Sequence, residues 1–201
     1  MTLPQLIEEG LSLVRTDPQH DLRLGFRCRL MAAIDGIPPR ETGGNGRAKR
    51  VNIAKASVEL VLPLWRTLLP NDTTPFHAFD IANALLLGSV SPAHAENEVG
   101  SLWSHCDDLA FQYDDDQAVI IVGYGAVQVV REALSERHFG CENVPDDGTD
   151  RDISPYDHDS FFCAAVAYSG GPTWDTSSSA QKRLEFWTWW LTSLLPSAAL
   201  A

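Results

Sequence analysis

The sequence predicts an all-α fold, a single irregular bundle of seven or eight helices that spans residues 1–201 as one domain. Apolar residues recur every three or four positions through most of the chain, which is the period of a helix with one buried face. Clusters of proline and glycine separate these segments. The 44% hydrophobic and 21% charged residues are typical of a globular protein. A domain of this length buries about 70% of its unfolded surface, so it needs neither a metal nor a disulfide to fold.

Five helices are predicted in the first part of the chain. Their ranges are Leu3–Val14, Asp21–Ile34, Arg47–Leu69, Phe76–Leu87 and Ala93–Phe111. Pro18 ends the first helix, because the residue before a proline avoids the helical region. The composition of residues 37–46 predicts a loop. Pro63 lies inside the third helix, where it removes a backbone donor and predicts a kink.

The segment Asp114–Phe139 permits two interpretations. Its β-branched residues suit a buried strand. A helix is favoured, because Asp114–Asp116 suit a helix N-terminus, the tail Arg131–Arg137 is strongly helix-forming, and about 25 residues is too long for a strand. We therefore expect Gly123 and Gly125 to let a neighbouring helix approach closely.

Two helices are predicted at the C-terminal end. Asp157–Tyr168 forms the first, and the glycines and proline of Ser169–Pro172 end it. Ser178 is predicted to start the second. This last helix carries Trp187 and Trp190 on its apolar stripe, so both are predicted to be core residues.

Cysteine usage and the N-terminus favour a cytoplasmic protein. The first residues lack a basic region followed by an apolar core, so they do not read as a signal peptide. No apolar run approaches the length of about 18 residues that suggests a membrane span. The four cysteines, Cys28, Cys106, Cys141 and Cys163, contain no C-x-x-C pair. In a reducing compartment we expect buried thiols rather than a disulfide.

The net charge of −12 is distributed unevenly. Residues 1–66 carry 10 Lys/Arg and 7 Asp/Glu, a net of +3, whereas residues 67–201 carry 5 and 20, a net of −15. Seven acidic residues and one arginine lie between Glu142 and Asp159. Such a charge repels nucleic acid and anionic membranes and attracts a basic partner. Acidic loops also serve solubility alone.

Signals for catalysis are weak. Gly123-Tyr124-Gly125 lacks the third glycine and the βαβ unit of a dinucleotide site, and residues 146–152 lack the order of a calcium loop. No serine or cysteine has a nucleophile context. The residues therefore indicate no specific catalytic, cofactor or metal site. The alternatives are a metal-dependent enzyme that uses an Asp/His cluster at residues 105–108 and 157–159, with side chains converging within about 4 Å, and an acidic scaffold or adaptor domain.

Three segments carry a resemblance to a known family. They are Val61-Leu-Pro-Leu-Trp65, the stretch SPYDHDSFFCAAVAYSGG at residues 154–171 with Trp174 after it, and KRLEFWTWWL at residues 182–191. Together they resemble a bacterial polymorphic-toxin immunity protein, of the all-α family numbered five. The resemblance spans about residues 45–195 and is strongest over 154–191. Its motif residues are Pro63, Trp65, Asp157, Asp159, Gly170, Gly171, Trp174, Phe186, Trp187 and Trp190.

The resemblance implies a protein that binds the C-terminal domain of a cognate toxin and neutralises it without catalysis. Many such toxins are nucleases, whose clefts are basic because they bind phosphates. An acidic inhibitor would be steered to such a cleft. The predicted contacts are Asp146, Asp147, Asp150 and Asp152, then Asp114, Asp115 and Asp116, and Trp189, which either packs under the acidic loop or is an exposed interface anchor. Nucleic acid and membrane are not predicted partners, and the oligomeric state is left open.

Overall fold

The computed structural model describes residues 1–36, 46–141 and 144–200, and within these ranges every regular element is helical. The predicted all-α class is therefore confirmed. The helices are α1 (Leu3–Thr16), α2 (Leu24–Asp35), α3 (Gly46–Leu68), α4 (Thr74–Leu86), α5 (Pro92–Gln112), α6 (Gln117–Leu134), α7 (Ser160–Ser169), α8 (Ala180–Trp189) and α9 (Leu195–Leu200). A π-helical turn at Trp190–Leu194 makes α8 and α9 continuous. The described residues therefore form eight separate helical segments. The loop predicted at residues 37–46 lies outside the described residues, apart from Gly46.

Helix α6 occupies the centre of the bundle. It packs against α3, α4, α5 and α7, and its β-branched residues fill the core as a helix, which decides the ambiguity of this segment. A Cβ atom on Gly123 would lie 2.8 Å from the ring of Trp65 and 2.9 Å from Sγ of Cys106. The predicted close approach is therefore confirmed. Asp114–Asp116 form a separate 3₁₀ turn ahead of α6.

Helix α6 with this turn is the one stretch in the described ranges whose length and apolar composition would suit a membrane span. About 61% of its most apolar window is buried inside the bundle. The β-branched residues face neighbouring helices on several sides, as expected of a central helix in a helical core. The composition of this stretch is therefore explained by packing.

The C-terminal helices begin and end through side-chain caps. Asp159 accepts a hydrogen bond from the backbone of Phe162 and so starts α7 three residues later than predicted. Gly170, with φ of 79°, ends α7 in the left-handed conformation. Ser179, rather than Ser178, caps α8. Trp187 and Trp190 are fully buried, which confirms their predicted place in the core.

Candidate functional site

An acidic cleft of about 460 Å³ opens where α1, the start of α2 and the segment around residue 146 meet. Its carboxylates belong to Glu9, Asp17, Asp21, Asp146 and Asp147. The guanidiniums of Arg23 and Arg29 also line it. Five negative charges against two positive ones leave a net of −3. The cleft thus joins two predicted contact residues, Asp146 and Asp147, to three acidic residues that the sequence did not single out.

The two arginines of the cleft already have partners. Both terminal nitrogens of Arg29 donate to the carboxylate of Glu9 at 3.2 Å, and Arg23 lies 3.9 Å from the carboxylate of Asp17. Within the described ranges, no basic side chain lies within 4.0 Å of the other three carboxylates of the cleft. These three negative charges are therefore available to a cation that arrives from outside.

Asp21 has the most perturbed carboxyl group of the cleft. Burial and the nearby charge of Asp150 raise its pKa to about 6, although Arg27 and Arg183 act in the opposite direction. The residue is nevertheless only partly buried, since its side chain lines the open cleft. A carboxylate held in this way is stabilised by a nearby positive charge, so the cleft favours a cationic ligand.

The segment that carries Asp146 and Asp147 lies directly on the backbone of α2. The amide of Gly25 donates to the carbonyl of Gly148 at 3.1 Å. A Cβ atom on Gly25 would lie 2.1 Å from the carbonyl oxygen of Pro145 and 2.6 Å from that of Asp146. Only glycine permits this approach, so Gly25 sets the position of one wall of the cleft.

We expect Gly25→Ala to displace residues 145–148 and to lower the free energy of unfolding by about 1–3 kcal/mol, the usual cost of overpacking. Gly100→Ala is the matched control, because nothing lies within 4 Å of its added Cβ in the middle of α5; this change should stabilise the protein by up to about 1 kcal/mol. Urea unfolding of the two variants measures both values. Equal stability of Gly25→Ala and the wild type would show that the loop does not need this contact.

A buried ion-pair network holds the same segment from its other side. The guanidinium of Arg27 donates to Asp150 at 2.5 and 3.0 Å and to Asp159 at 2.9 Å. All three residues are buried. The prediction that Asp150 contacts a partner is therefore wrong, because this carboxylate is enclosed and neutralised by Arg27.

The network continues from Asp159 through His138. His138 is hydrogen-bonded to Glu132 at 2.7 Å and lies 3.6 Å from Asp159. Burial alone would lower the pKa of His138, but the two carboxylates outweigh it and raise the pKa to about 9. His138 is thus positively charged at neutral pH. Glu132 also accepts from Arg50 at 2.5 Å, and Arg50 pairs with Asp35.

A disulfide joins Cys28 on α2 to Cys141. The prediction of free thiols is wrong for this pair, whose members are 113 residues apart and carry no spacing signal. It holds for Cys106 and Cys163, which are free and buried. Burial raises the pKa of the Cys106 thiol to about 12. The disulfide adds a covalent link between α2 and the residues that follow α6.

The other predicted contact residues are scattered. Asp152 is exposed but binds the backbone amide and hydroxyl of Thr149, and it does not line the cleft. In the turn before α6, Asp114 and Asp115 are exposed and Asp116 is partly buried. Trp189 is partly buried and packs against Phe186 at the edge of the core, and its contact with a partner stays a prediction. Glu142 lies outside the described residues.

The Asp/His residues of the enzyme alternative do not converge. His105 binds Asp72 at 2.7 Å, and Asp107 accepts from the hydroxyl of Tyr124. His158 contacts the carbonyl of Asp150 at 2.9 Å, while Asp159 caps α7. In the described ranges, no group of three or more His, Cys, Asp and Glu side chains could hold a metal. The Asp/His cluster of the enzyme alternative is therefore not assembled among the described residues.

The motif residues of the family resemblance are mainly structural. Buried in the core are Trp65, Phe186, Trp187 and Trp190. Pro63 lies inside α3, Asp157 is 3.9 Å from Arg131, and Gly171 follows the glycine that ends α7. Trp174 is 42% exposed and lies under the guanidinium of Arg151. Most of the motif residues therefore serve the packing of the helices, and none of them lines the acidic cleft.

Comparison with known families gives one result. A family model described as immunity protein Imm5 matches residues 7–197, which is nearly the whole chain. The comparison of this chain with curated proteins finds no match. The match includes every residue that lines the acidic cleft.

Proposed function

The chain belongs to the Imm5 family of immunity proteins, and we propose that it binds the C-terminal domain of a cognate toxin and neutralises it by stoichiometric occlusion. The acidic cleft would cover a basic surface of the toxin. The toxin class that fits best is a nuclease, because its substrate-binding surface is basic. The protein would act in the cytoplasm, where such a toxin meets its substrate.

The observation that carries this proposal is that Asp21, Asp146 and Asp147 lie in one cleft and have no basic partner among the described residues. A concentrated negative charge accelerates association with a basic partner and excludes partners of like charge. Leu13, which is exposed in the lining of the cleft, adds apolar surface that a partner can bury. Charge and shape therefore act together at this site.

The support of the cleft also fits inhibition by binding. Two contacts of α2 hold the acidic segment: the backbone hydrogen bond of Gly25 to Gly148 and the ion pair of Arg27 with Asp150. A preorganised surface loses little conformational entropy when the partner binds. No step of the proposed mechanism involves turnover, so one molecule would block one toxin domain.

Co-expression tests this function. The toxin C-terminal domain is taken from the secreted protein encoded beside this chain, and growth is scored with and without it. We expect the chain to restore growth and to retain the toxin domain in a pull-down, with less retained at high salt because salt screens the charges. A toxin domain that kills equally well in the presence of the chain, with no complex at low salt, would rule out neutralisation of that toxin.

A further inference from the structure

The outward face of α5 carries a stripe of residues with the spacing of a helix-packing surface. Successive members of this stripe are separated alternately by four and by three positions, which is the heptad spacing of a helix that packs along a second helix. All of its members are exposed: Ala93, Asn97, Gly100, Ser104, Asp107 and Phe111. The stripe is about 27 Å long, since a helix rises about 1.5 Å per residue. It is therefore long enough to hold a partner helix along its whole length.

Two members of the stripe are unusual for the outside of a monomer. Phe111 is 91% exposed, more than any other large hydrophobic residue in the described ranges. Gly100 lies in the middle of α5, where a glycine weakens a helix relative to alanine, and an added Cβ atom there would meet nothing within 4 Å. Contacts inside the described part of the chain therefore explain neither residue. A surface packed against the stripe would bury the ring and use the open space beside the glycine.

The stripe is complementary to itself when a second copy of α5 lies antiparallel to the first. In that arrangement the first member meets the last, the second meets the fifth, and the third meets the fourth. Each pair takes one residue from either copy: Ala93 with Phe111, Asn97 with Asp107, and Gly100 with Ser104. The same three pairs recur on both sides of a two-fold axis, as the symmetry of a closed dimer requires.

The three pairs match in size and in hydrogen-bonding chemistry. In the outer pair the ring of Phe111 would lie over the short side chain of Ala93, so a large residue meets a small one. The central pair consists of two small residues, which lets the two helix axes approach closely. In the remaining pair, the amide nitrogen of Asn97 can donate to Oδ2 of Asp107, whose Oδ1 already accepts from Tyr124. A polar pair of this kind fixes the register of two packed helices.

The charges along the helix favour the antiparallel direction. On one side of the stripe, the exposed imidazole of His94 in one copy would lie near the exposed carboxylate of Asp108 in the other. On the opposite side, the two Trp103 side chains would approach each other beside the two-fold axis. A parallel pair would instead place Asp107 against the Asp107 of the other copy, and like charges repel. The parallel direction is therefore disfavoured.

We infer that α5 is a dimer interface, in which it packs antiparallel against the α5 of a second copy of this chain. A contact of one helix from each copy is smaller than the interfaces of about 1,200 Å² and more that hold stable complexes, so the dimer is weak. No residue of α5 lines the acidic cleft. The interface is therefore separate from the cleft, and the inference does not rest on the proposed function.

Sedimentation equilibrium of the full chain measures the pairing. We expect a monomer–dimer equilibrium with a Kd between about 1 μM and about 1 mM, because the interface is small. High salt should tighten the dimer, since each copy has a net charge of −12 that salt screens. The toxin complex should respond to salt in the opposite direction. A chain that stays monomeric at a concentration of about 1 mM would overturn the inference.

An exchange of the large and the small residue of the outer pair tests the packing. Ala93→Phe sets two rings against each other and Phe111→Ala leaves a space, so each single variant should weaken dimerisation at least about tenfold. The double variant restores one large and one small residue to the pair, and its Kd should return to within about threefold of the wild type. Leu87→Ala is the matched control, since Leu87 is 82% exposed but lies outside the stripe; it should leave the Kd unchanged.

Cross-linking tests the direction of the helices. Gly100→Cys and Ser104→Cys are prepared as separate variants and mixed under mild oxidation. The four wild-type cysteines do not interfere, because two form a disulfide and two are buried. We expect the mixed pair to form a disulfide faster than either variant does with itself. Faster reaction of each variant with itself, or no rescue by the double variant, would show that α5 does not pair antiparallel with its copy.

Discussion

Arg27→Ala is expected to lower the free energy of unfolding by about 3–5 kcal/mol, because it leaves the buried Asp150 without its cation and the buried Asp159 with only His138 beside it. Asp150 and Asp159 are both buried against the guanidinium, and Asp159 also caps α7. The change therefore weakens the attachment of the acidic segment and the start of a core helix together. Urea unfolding at pH 7 measures the loss.

Arg23→Ala is the matched control for this prediction. The side chain of Arg23 is 53% exposed and lies 3.9 Å from Asp17, so its loss should cost less than about 1 kcal/mol.

The deficit of Arg27→Ala should also depend on pH. Burial raises the pKa of Asp159, but Arg27 and His138 outweigh it and hold that pKa well below the usual range. The contribution of Asp159 is present above about pH 4 and is lost as the pH falls. Burial raises the pKa of Asp150 even beside Arg27, so both carboxylates are protonated in strong acid and the two proteins should converge there. A constant deficit from pH 8 to pH 3 would contradict the assigned pairing.

Reversal of two charges at the cleft, Asp146→Lys with Asp147→Lys, is expected to slow association with the toxin domain at least tenfold at low salt. The change converts the net charge of the cleft from −3 to +1, so attraction becomes repulsion. Both side chains are exposed, and the fold should therefore tolerate the change. Stopped-flow association rates at increasing salt measure the effect, which should shrink as the charges are screened.

Asp80→Lys with Glu136→Lys is the matched control, since it changes the total charge equally at exposed positions that do not line the cleft. We expect this control to slow association far less than the cleft variant does. If both double variants slow association by the same factor, the total charge of the protein, and not the cleft, guides the encounter.

The sequence predicted the helices because helix formation depends on residues three and four positions apart. Two of the predicted contact residues, Asp146 and Asp147, are exposed and line the cleft, as an acidic loop with few apolar residues allows; their contact with a partner stays a prediction. The family resemblance is strongest over residues 154–191, where tryptophans that are buried in the structure follow a glycine stop. Because these residues lie in the core, they indicate the family but do not predict where the acidic cleft lies.

The rest of the site depends on contacts between distant parts of the chain. Asp150 lies in an acidic loop like its neighbours, and only the approach of Arg27, 123 residues away, makes it buried. Cys28 and Cys141 are likewise brought together by the fold. Asp17 and Asp21 lie in the part of the sequence with a net charge of +3, where a count of charges along the chain conceals a local acidic surface.

The central claim, that one molecule neutralises one toxin domain through the acidic cleft, is tested most directly by titrating toxin activity with purified protein. We predict that activity falls in proportion to added wild-type chain and ends at a ratio of one to one. The Asp80/Glu136 control should behave in the same way, while the Asp146/Asp147 variant should need a large excess at low concentration. Full toxin activity at an excess of wild-type chain, or equal inhibition by the Asp146/Asp147 variant, would contradict the claim.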